Sequence, residues 1–278
     1  MEVAVMLIEN TSKMPDASRL ALYHMLSRLV IDPRLPLFNK PMEPGSSDEI
    51  DLAWKALVES FQAVEIQVAP GELDPTTVDP ALLLEALTQS GPALTDGYDA
   101  VFGLLSSSIC PVYESEYCPQ QDATYRSQNI ADVAGFYSAF GLNPSGDVRG
   151  RHDHIAMELE FMAWLIVKEA AARHIGTEEG TLKAETCREA QQRFLTQHLT
   201  WWVPGFALLL NRRCEELAEK NGEQPALSFY SELARILAAF VSCERAVFGI
   251  PAPSRKLDAP SETIDESPCG SCSLDSGR

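Results

Sequence analysis

The segment from residue 153 to residue 174 limits most strongly how this chain can fold. Its apolar residues follow helical spacing on two sides, with Ile155, Leu159, Met162 and Ile166 on one and Phe161, Trp164 and Leu165 on the other. A helix that is apolar nearly all round has to be covered by other elements, because its side chains would otherwise meet water. The segment therefore predicts a helix in the middle of a bundle, and Glu158 lies within its apolar run.

Helical spacing recurs along most of the chain, whereas the signals for β-strands are weak. Residues 64–68 alternate briefly between polar and apolar, but no second run pairs with them across a tight turn. Prolines, glycines and capping residues give approximate helix bounds, which are 16–31, 46–64, 80–87, 94–105, 129–141, 153–174, 177–198, 201–220 and 225–248. We therefore predict an all-α protein with about nine helices in one bundle domain over residues 15–250.

Three other segments are predicted to lie outside the helices. Residues 106–127 contain two prolines and the sequence Tyr113-Glu114-Ser115-Glu116-Tyr117, which is typical of a long ordered loop. Residues 1–14 are expected to form a flexible N-terminus. Residues 251–278 are rich in proline, serine, glycine and aspartate, so we expect a disordered tail there.

The charge balance narrows the classes of partner. The chain has 40 acidic and 22 basic residues, which gives a formal net charge of −18. A surface this acidic repels nucleic-acid phosphates and anionic lipids, so basic peptides or basic protein faces fit better. The alternative is that the acidity serves solubility alone. No run of 18 apolar residues occurs, so we expect no stable membrane insertion.

Cysteine usage and the N-terminus both predict a cytoplasmic protein. The seven cysteines are odd in number, and three of them lie in predicted helices, where a free thiol behaves as a small hydrophobe: Cys187, Cys214 and Cys243. The first 16 residues show none of the features of a secretory signal. Cys269 and Cys272 supply two zinc ligands where a structural site needs four, and their role is left open.

Most catalytic signatures are missing from the chain. It has no GxGxxG, GxxxxGK[ST], GxSxG or HExxH motif, and no histidine follows a glutamate by three residues. Common nucleotide-binding, hydrolase, zinc-protease and di-iron sites are thereby excluded.

The cluster His152-Asp153-His154 with Glu158 is the strongest candidate for chemistry. His154 and Glu158 are four residues apart and share a helix face. Asp153 has a structural alternative as the N-cap of the helix, and His154 has one as a partner of nearby backbone. A metal site would need ligands from elsewhere, and an acid–base pair has no nucleophile beside it.

A family resemblance is carried by this cluster and its neighbours. Asp153-His154 opens a long helix that continues as Glu158-Leu159-Glu160-Phe161-Met162, with Gly141-Leu142 before it. Other matching segments are Val101-Phe102-Gly103, Pro111 to Tyr117, Ala190, Phe194-Leu195, His198-Leu199 and Trp202-Val203-Pro204. In this combination the chain resembles the TorD/DmsD family of redox-enzyme maturation chaperones, which is related to NarJ-type assembly factors. The resemblance spans roughly 15–250 and is strongest over 98–204.

One position departs from that family pattern. An acidic residue and a proline usually precede the Asp-His pair, whereas this chain has Arg151-His152. Because the fixed φ of proline is lost, the turn into the helix is expected to differ.

The resemblance implies a cytoplasmic, all-helical chaperone that is not an enzyme. Such proteins bind the twin-arginine signal peptide and the apo form of a molybdenum-cofactor oxidoreductase subunit, and assist cofactor insertion before export. The loop Tyr113 to Tyr117 is most similar to members that serve dimethyl-sulfide, ethylbenzene, selenate or chlorate enzymes. The resemblance implies no resident cofactor beyond weak contact with guanine nucleotide or molybdenum cofactor, and either a monomer or a helix-swapped dimer.

The predicted peptide-binding groove lies between the 106–127 loop and the start of the 153–174 helix. Aromatic side chains would contact the apolar part of the peptide and carboxylates its arginines. The predicted binding residues are Phe102, Tyr113, Glu114, Tyr117, Asp153, His154 and Glu158. No catalytic or metal-ligating residue is assigned.

Two other functions stay open from the sequence. One is a structural scaffold subunit that remains in a redox complex. The other is a helical metal-dependent enzyme that uses His152, Asp153, His154 and Glu158. The identity of the client enzyme is not encoded in these patterns.

Overall fold

The computed structural model describes residues 14–38, 46–61, 66–103, 109–118, 123–142 and 151–252. In these ranges the chain forms nine α-helices and no β-strand, so the predicted all-α class is confirmed. The helices are α1 Met14–Leu29, α2 Ser46–Glu59, α3 Pro80–Ser90, α4 Leu94–Phe102, α5 Ala123–Ala139, α6 Ile155–His174, α7 Glu178–Phe194, α8 Thr200–Asn221 and α9 Pro225–Phe248. The tail with Cys269 and Cys272 and the segment before Met14 lie outside the described residues.

Several predicted helix bounds differ from the structure; for example, α2 ends at Glu59 and not at 64, and α4 ends at Phe102 and not at 105. Two differences bear on the candidate site. α5 begins at Ala123, six residues before the predicted start at 129, so the predicted loop 106–127 ends earlier. The first turn of α5 is polar, so the sequence shows no helical spacing of apolar residues there. In the structure, the Arg126 guanidinium forms a salt bridge with the Glu116 carboxylate at 3.2 Å. The predicted break between 198 and 201 is absent, because the π-helical turn Leu195–Leu199 joins α7 directly to α8.

The helix α6 lies inside the bundle, as its apolar pattern predicts. It packs against α1 and α7, and its buried residues include Ile155, Leu159, Phe161, Met162, Leu165 and Ile166. Trp164 departs from the prediction, since 37% of its surface is exposed.

The helix α9 is a second central element, which packs against α8, α3 and α4. By length and composition it could cross a membrane, but 78% of its most apolar stretch is buried within the protein. That degree of burial is typical of the core helix of a globular bundle.

A buried ion pair joins the first helix to the last. Arg19 of α1 donates from Nε and Nη2 to the carboxylate of Glu244 in α9, at 2.6 and 2.8 Å. The hydroxyl of Tyr23 donates to the same carboxylate at 2.7 Å, and Arg19 also donates to Gln191 of α7 at 3.0 Å. Three helices are thereby fixed to one another through a satisfied polar network.

A close approach of α4 and α9 gives a first testable prediction. A Cβ atom on Gly97 would lie 2.6 Å from the Cβ of Ala226, so Gly97→Ala should destabilise the protein by about 1–3 kcal/mol in urea unfolding. The matched control is Gly135→Ala in α5, where an added Cβ meets nothing within 4 Å. That variant should gain about 0.5–1 kcal/mol, since alanine favours a helix. Equal effects at both positions would contradict the close packing of α4 on α9.

Candidate functional site

The segment before α5 is held against the start of α6 by backbone pairing. Tyr113 and His154 form an isolated antiparallel bridge. The Glu114 amide donates to the Asp153 carbonyl at 2.9 Å, and the Ile155 amide donates to the Val112 carbonyl at 3.0 Å. Tyr113 has an extended backbone and is partly exposed, whereas Glu114 begins a short 3-10 helix, Glu114–Tyr117, and is buried.

The N-cap of α6 is His154 and not Asp153. The backbone of His154 is extended, and its Nδ1 accepts a hydrogen bond from the Ala156 amide at 3.1 Å. Burial lowers the pKa of His154 to about 4, so the imidazole is neutral and Nδ1 is free to accept. The alternative of Asp153 as the cap is therefore wrong, and the alternative that His154 is bonded to nearby backbone is confirmed.

Asp153 instead belongs to an arginine cluster formed by Arg151, Asp153, Glu116, Ser115 and Tyr113. Arg151 donates from Nε and Nη2 to both oxygens of Asp153, at 3.0 and 2.8 Å, and from Nη1 to Glu116 at 2.8 Å. Its Nη2 also bonds the Ser115 hydroxyl, and its guanidinium lies 4.3 Å from the centre of the Tyr113 ring.

The Asp153 carboxylate is fully buried within this arginine cluster. The Ser115 amide donates to it at 3.1 Å. Burial opposes its charge, but the hydrogen bonds from Arg151 and Ser115 hold the pKa of Asp153 below its ordinary value. The aspartate is therefore ionised at neutral pH, and Arg151 balances its charge.

A second group, the glutamate–tryptophan cluster, lies beneath. It consists of Glu114, Glu158, His198, Trp201 and Trp202. Glu114 accepts from Trp201 Nε1 at 2.6 Å and contacts His198 Nδ1 at 3.0 Å, while Glu158 accepts from Trp202 Nε1 at 3.1 Å. Burial and the neighbouring Glu114 raise the pKa of Glu158, so it holds its proton above the usual range of a glutamate.

The predicted binding residues are thus mostly interior. Glu114, Asp153 and Glu158 are fully buried, and His154 is nearly so. Phe102 packs on Tyr230 and Phe206 in the core. Tyr117 donates to the Pro111 carbonyl at 2.8 Å and packs on Trp202. Of the seven predicted residues, Tyr113 alone is partly exposed.

A surface groove between α5 and α7 was not predicted from the sequence. It has a volume of about 340 Å³. Its lining includes Asp132, Phe136, Phe140, Glu189, Ala190 and Arg193. Ala190 is buried and Phe136 and Phe140 are partly buried, whereas the charged residues Asp132, Glu189 and Arg193 are exposed and are called the rim of the groove. The signal in the sequence is the four-residue spacing of Asp132, Phe136 and Phe140, which places them on one helix face.

This groove is connected to both clusters. The Asp132 carboxylate at its rim lies 3.6 Å from Nε2 of His198, whose other nitrogen contacts Glu114. The Phe136 ring packs edge-on against the His198 imidazole. One residue further along α5, the Tyr137 hydroxyl donates to the His152 carbonyl at 3.0 Å. The groove is therefore in direct contact with the glutamate–tryptophan cluster, and α5 is hydrogen-bonded to the segment that carries the arginine cluster.

The chemistry of a metal-dependent enzyme does not fit these residues. His154 Nδ1 caps a helix, Asp153 is paired with Arg151, and Glu158 is bonded to Trp202. Within the described ranges, no group of three or more histidine, cysteine or acidic residues is arranged to hold a metal ion.

Comparison with known proteins gives consistent matches. Residues 73–208, which contain both clusters and the groove, match the family model of the nitrate reductase delta subunit. The chain is similar to the selenate reductase assembly chaperone protein of Thauera selenatis, with 31% identity over 177 residues, covering 63% of this chain and 77% of the relative.

Two further relatives are matched over shorter lengths. The chlorate reductase assembly chaperone protein of Ideonella dechloratans is 32% identical over 130 residues, which cover 46% of this chain and 60% of that protein. The chaperone protein TorD of Vibrio cholerae is 28% identical over 108 residues, which cover 39% and 41%. No solved structure matches the chain.

Proposed function

Because this chain belongs to the NarJ/TorD-type family of assembly chaperones, and is a chaperone rather than an enzyme, we propose that it matures the catalytic subunit of a molybdenum-cofactor reductase. The names of the relatives support this, since they assemble selenate, chlorate and perchlorate reductases. A chaperone that meets its client before export works in the cytoplasm, which is the compartment we propose.

The client segment is a twin-arginine signal peptide, which is basic at first and then apolar. The observation that carries this proposal is that α5, which lines an apolar groove, is hydrogen-bonded to the segment that carries the arginine cluster. Asp153 and Glu116 already hold one guanidinium through paired hydrogen bonds, which is the strongest way for a carboxylate to recognise arginine.

The groove and the overall charge suit the rest of the peptide. Phe136 and Phe140 present apolar surface in a concave site, where an apolar segment loses contact with water. The net charge of −18 draws a basic peptide towards the protein before contact is made. The charged rim of Asp132, Glu189 and Arg193 would orient the peptide backbone and its flanking polar groups.

Calorimetric titration tests the proposed site. The ligand is a synthetic peptide with two adjacent arginines followed by an apolar stretch. Tyr113→Ala and Phe136→Ala should each weaken binding about tenfold, which corresponds to about 1.4 kcal/mol. The matched control is Leu208→Ala on α8, an exposed apolar residue outside the groove, which should bind as the wild type does. Unchanged affinity in the Tyr113→Ala/Phe136→Ala double variant would remove this site.

A further inference from the structure

The arginine cluster has the form of a complete guanidinium-binding pocket. A buried carboxylate, Asp153, takes two parallel hydrogen bonds, while Glu116 takes a third on the other side. The Ser115 hydroxyl and the Tyr113 ring complete the surroundings of the cation. A planar fork facing a carboxylate and stacked on an aromatic ring is the geometry that distinguishes arginine from lysine.

The guanidinium in this pocket belongs to Arg151 of the same chain. The surroundings of Arg151 differ from those of the buried arginines. Arg19 and Arg245 are enclosed within the helical bundle, with exposures of 0% and 3%. Arg151 lies outside the helices, and 37% of its side chain is exposed. It can therefore leave the pocket by side-chain rotation, without movement of α6.

An empty pocket would be unfavourable in free energy. Asp153 is fully buried, and without Arg151 its remaining partner is the Ser115 amide. A buried carboxylate without a cation is strongly unfavourable. A second guanidinium that replaced Arg151 would restore the same hydrogen bonds. An additional one beside Arg151 would instead face Glu116, which already pairs with both Arg151 and Arg126.

We propose that Arg151 is an internal occupant of the pocket that receives an arginine of the client peptide, so that binding exchanges one guanidinium for another. This rests on the proposed function and adds to it a mechanism of regulation. Only molecules in which Arg151 has left the pocket can bind the arginine of the peptide. The apparent affinity for the peptide therefore falls as the fraction of molecules with Arg151 in the pocket rises. Peptides without a bidentate cation fail to displace it, which makes the exchange selective for arginine.

The direct test is peptide titration of Arg151→Gln in the full chain. Removal of the internal competitor should tighten binding of the twin-arginine peptide about tenfold. A peptide with both arginines changed to lysine should show no such gain. The matched control is Arg34→Gln, since Arg34 also bonds two carboxylates, Asp32 and Asp99, at 2.8 and 2.6 Å and carries the same charge. It should leave affinity unchanged, which excludes a general effect of net charge.

Equal or weaker binding by Arg151→Gln, with wild-type binding intact, would overturn the exchange while the proposed function stands. Absence of peptide binding by the wild type would overturn both.

A second measurement covers the case in which the loss of Arg151 unfolds the protein. N-ethylguanidinium should raise the thermal midpoint of Arg151→Ala in a saturable manner, whereas ethylammonium at equal ionic strength should not. Neither compound should stabilise the wild type, because its pocket is filled. Equal effects of the two compounds on Arg151→Ala would show that the pocket does not exchange guanidinium groups, and would overturn the proposal.

Discussion

Replacement of Arg19 by methionine is expected to lower the free energy of unfolding by about 3–5 kcal/mol, because it leaves the Glu244 carboxylate buried without its cation. The exposures of the two side chains are 0% and 1%, so water cannot take the place of the guanidinium. Tyr23 would remain as the hydrogen-bond donor to Glu244. One neutral donor does not offset the desolvation of a full charge.

Urea unfolding measures this loss, as a lower midpoint at an unchanged slope. The matched control is Arg34→Met, which breaks an ion pair with Asp32 and Asp99 whose arginine is 49% exposed. It should cost less than about 1 kcal/mol, since solvent screens exposed pairs. Adding Glu244→Gln to Arg19→Met should recover part of the stability. Equal losses at Arg19 and Arg34 would mean that the buried network does not hold α1 to α9.

Acidification is expected to remove about 3 kcal/mol of stability through His154. The pKa of this imidazole is about 4 in the folded protein, against an ordinary value of 6.5, because the side chain is buried. Between these values the unfolded chain binds a proton that the folded protein does not. The stability from the neutral imidazole is therefore complete above pH 6.5 and is lost as the pH falls to 4. A shift of this size corresponds to about 3 kcal/mol.

Glu158 acts in the opposite direction over part of this range. Burial and the neighbouring Glu114 raise the pKa of Glu158 above the ordinary 4.5. The stability that its protonated form contributes is therefore present below pH 4.5 and is lost as the pH rises. Wild type is therefore compared with His154→Asn, which retains a good N-cap. The difference in their free energies of unfolding should decrease by about 3 kcal/mol from pH 7 to pH 4. A difference that stays constant with pH would contradict a buried neutral His154.

The fold could be predicted from the sequence because its signals are local. Helical spacing and the prolines and glycines that end helices lie within one element, and they identify α6 and its central position. The identity of its cap could not be predicted in the same way. The local preference for N-cap residues favours Asp153 over His154. The Asp153 carboxylate is instead taken by Arg151 and by the Ser115 amide, which lies 38 residues before it.

The candidate site was predicted only in part, for a related reason. Glu114 and Glu158 are predicted to bind the peptide, but Trp201 and Trp202, which lie 87 and 44 residues further along the chain, hold their carboxylates in the interior. Arg151 was noted only as a departure from a family pattern. The groove depends on how α5 packs on α7. The spacing of apolar residues within one helix does not predict which helices pack together.

The long separations along the chain also constrain the order of events during synthesis. The contacts of Glu114 can form only after His198 and Trp201 have left the ribosome. The ion pair of Arg19 can form only after Glu244, which follows it by 225 residues, has been released. Contacts between residues so far apart in the sequence form late in folding, because the long segment between them must first close into a loop. The chaperone is therefore expected to reach a binding-competent state only after release of nearly the whole chain. Ribosome-bound chains that end before α8 should not retain the peptide.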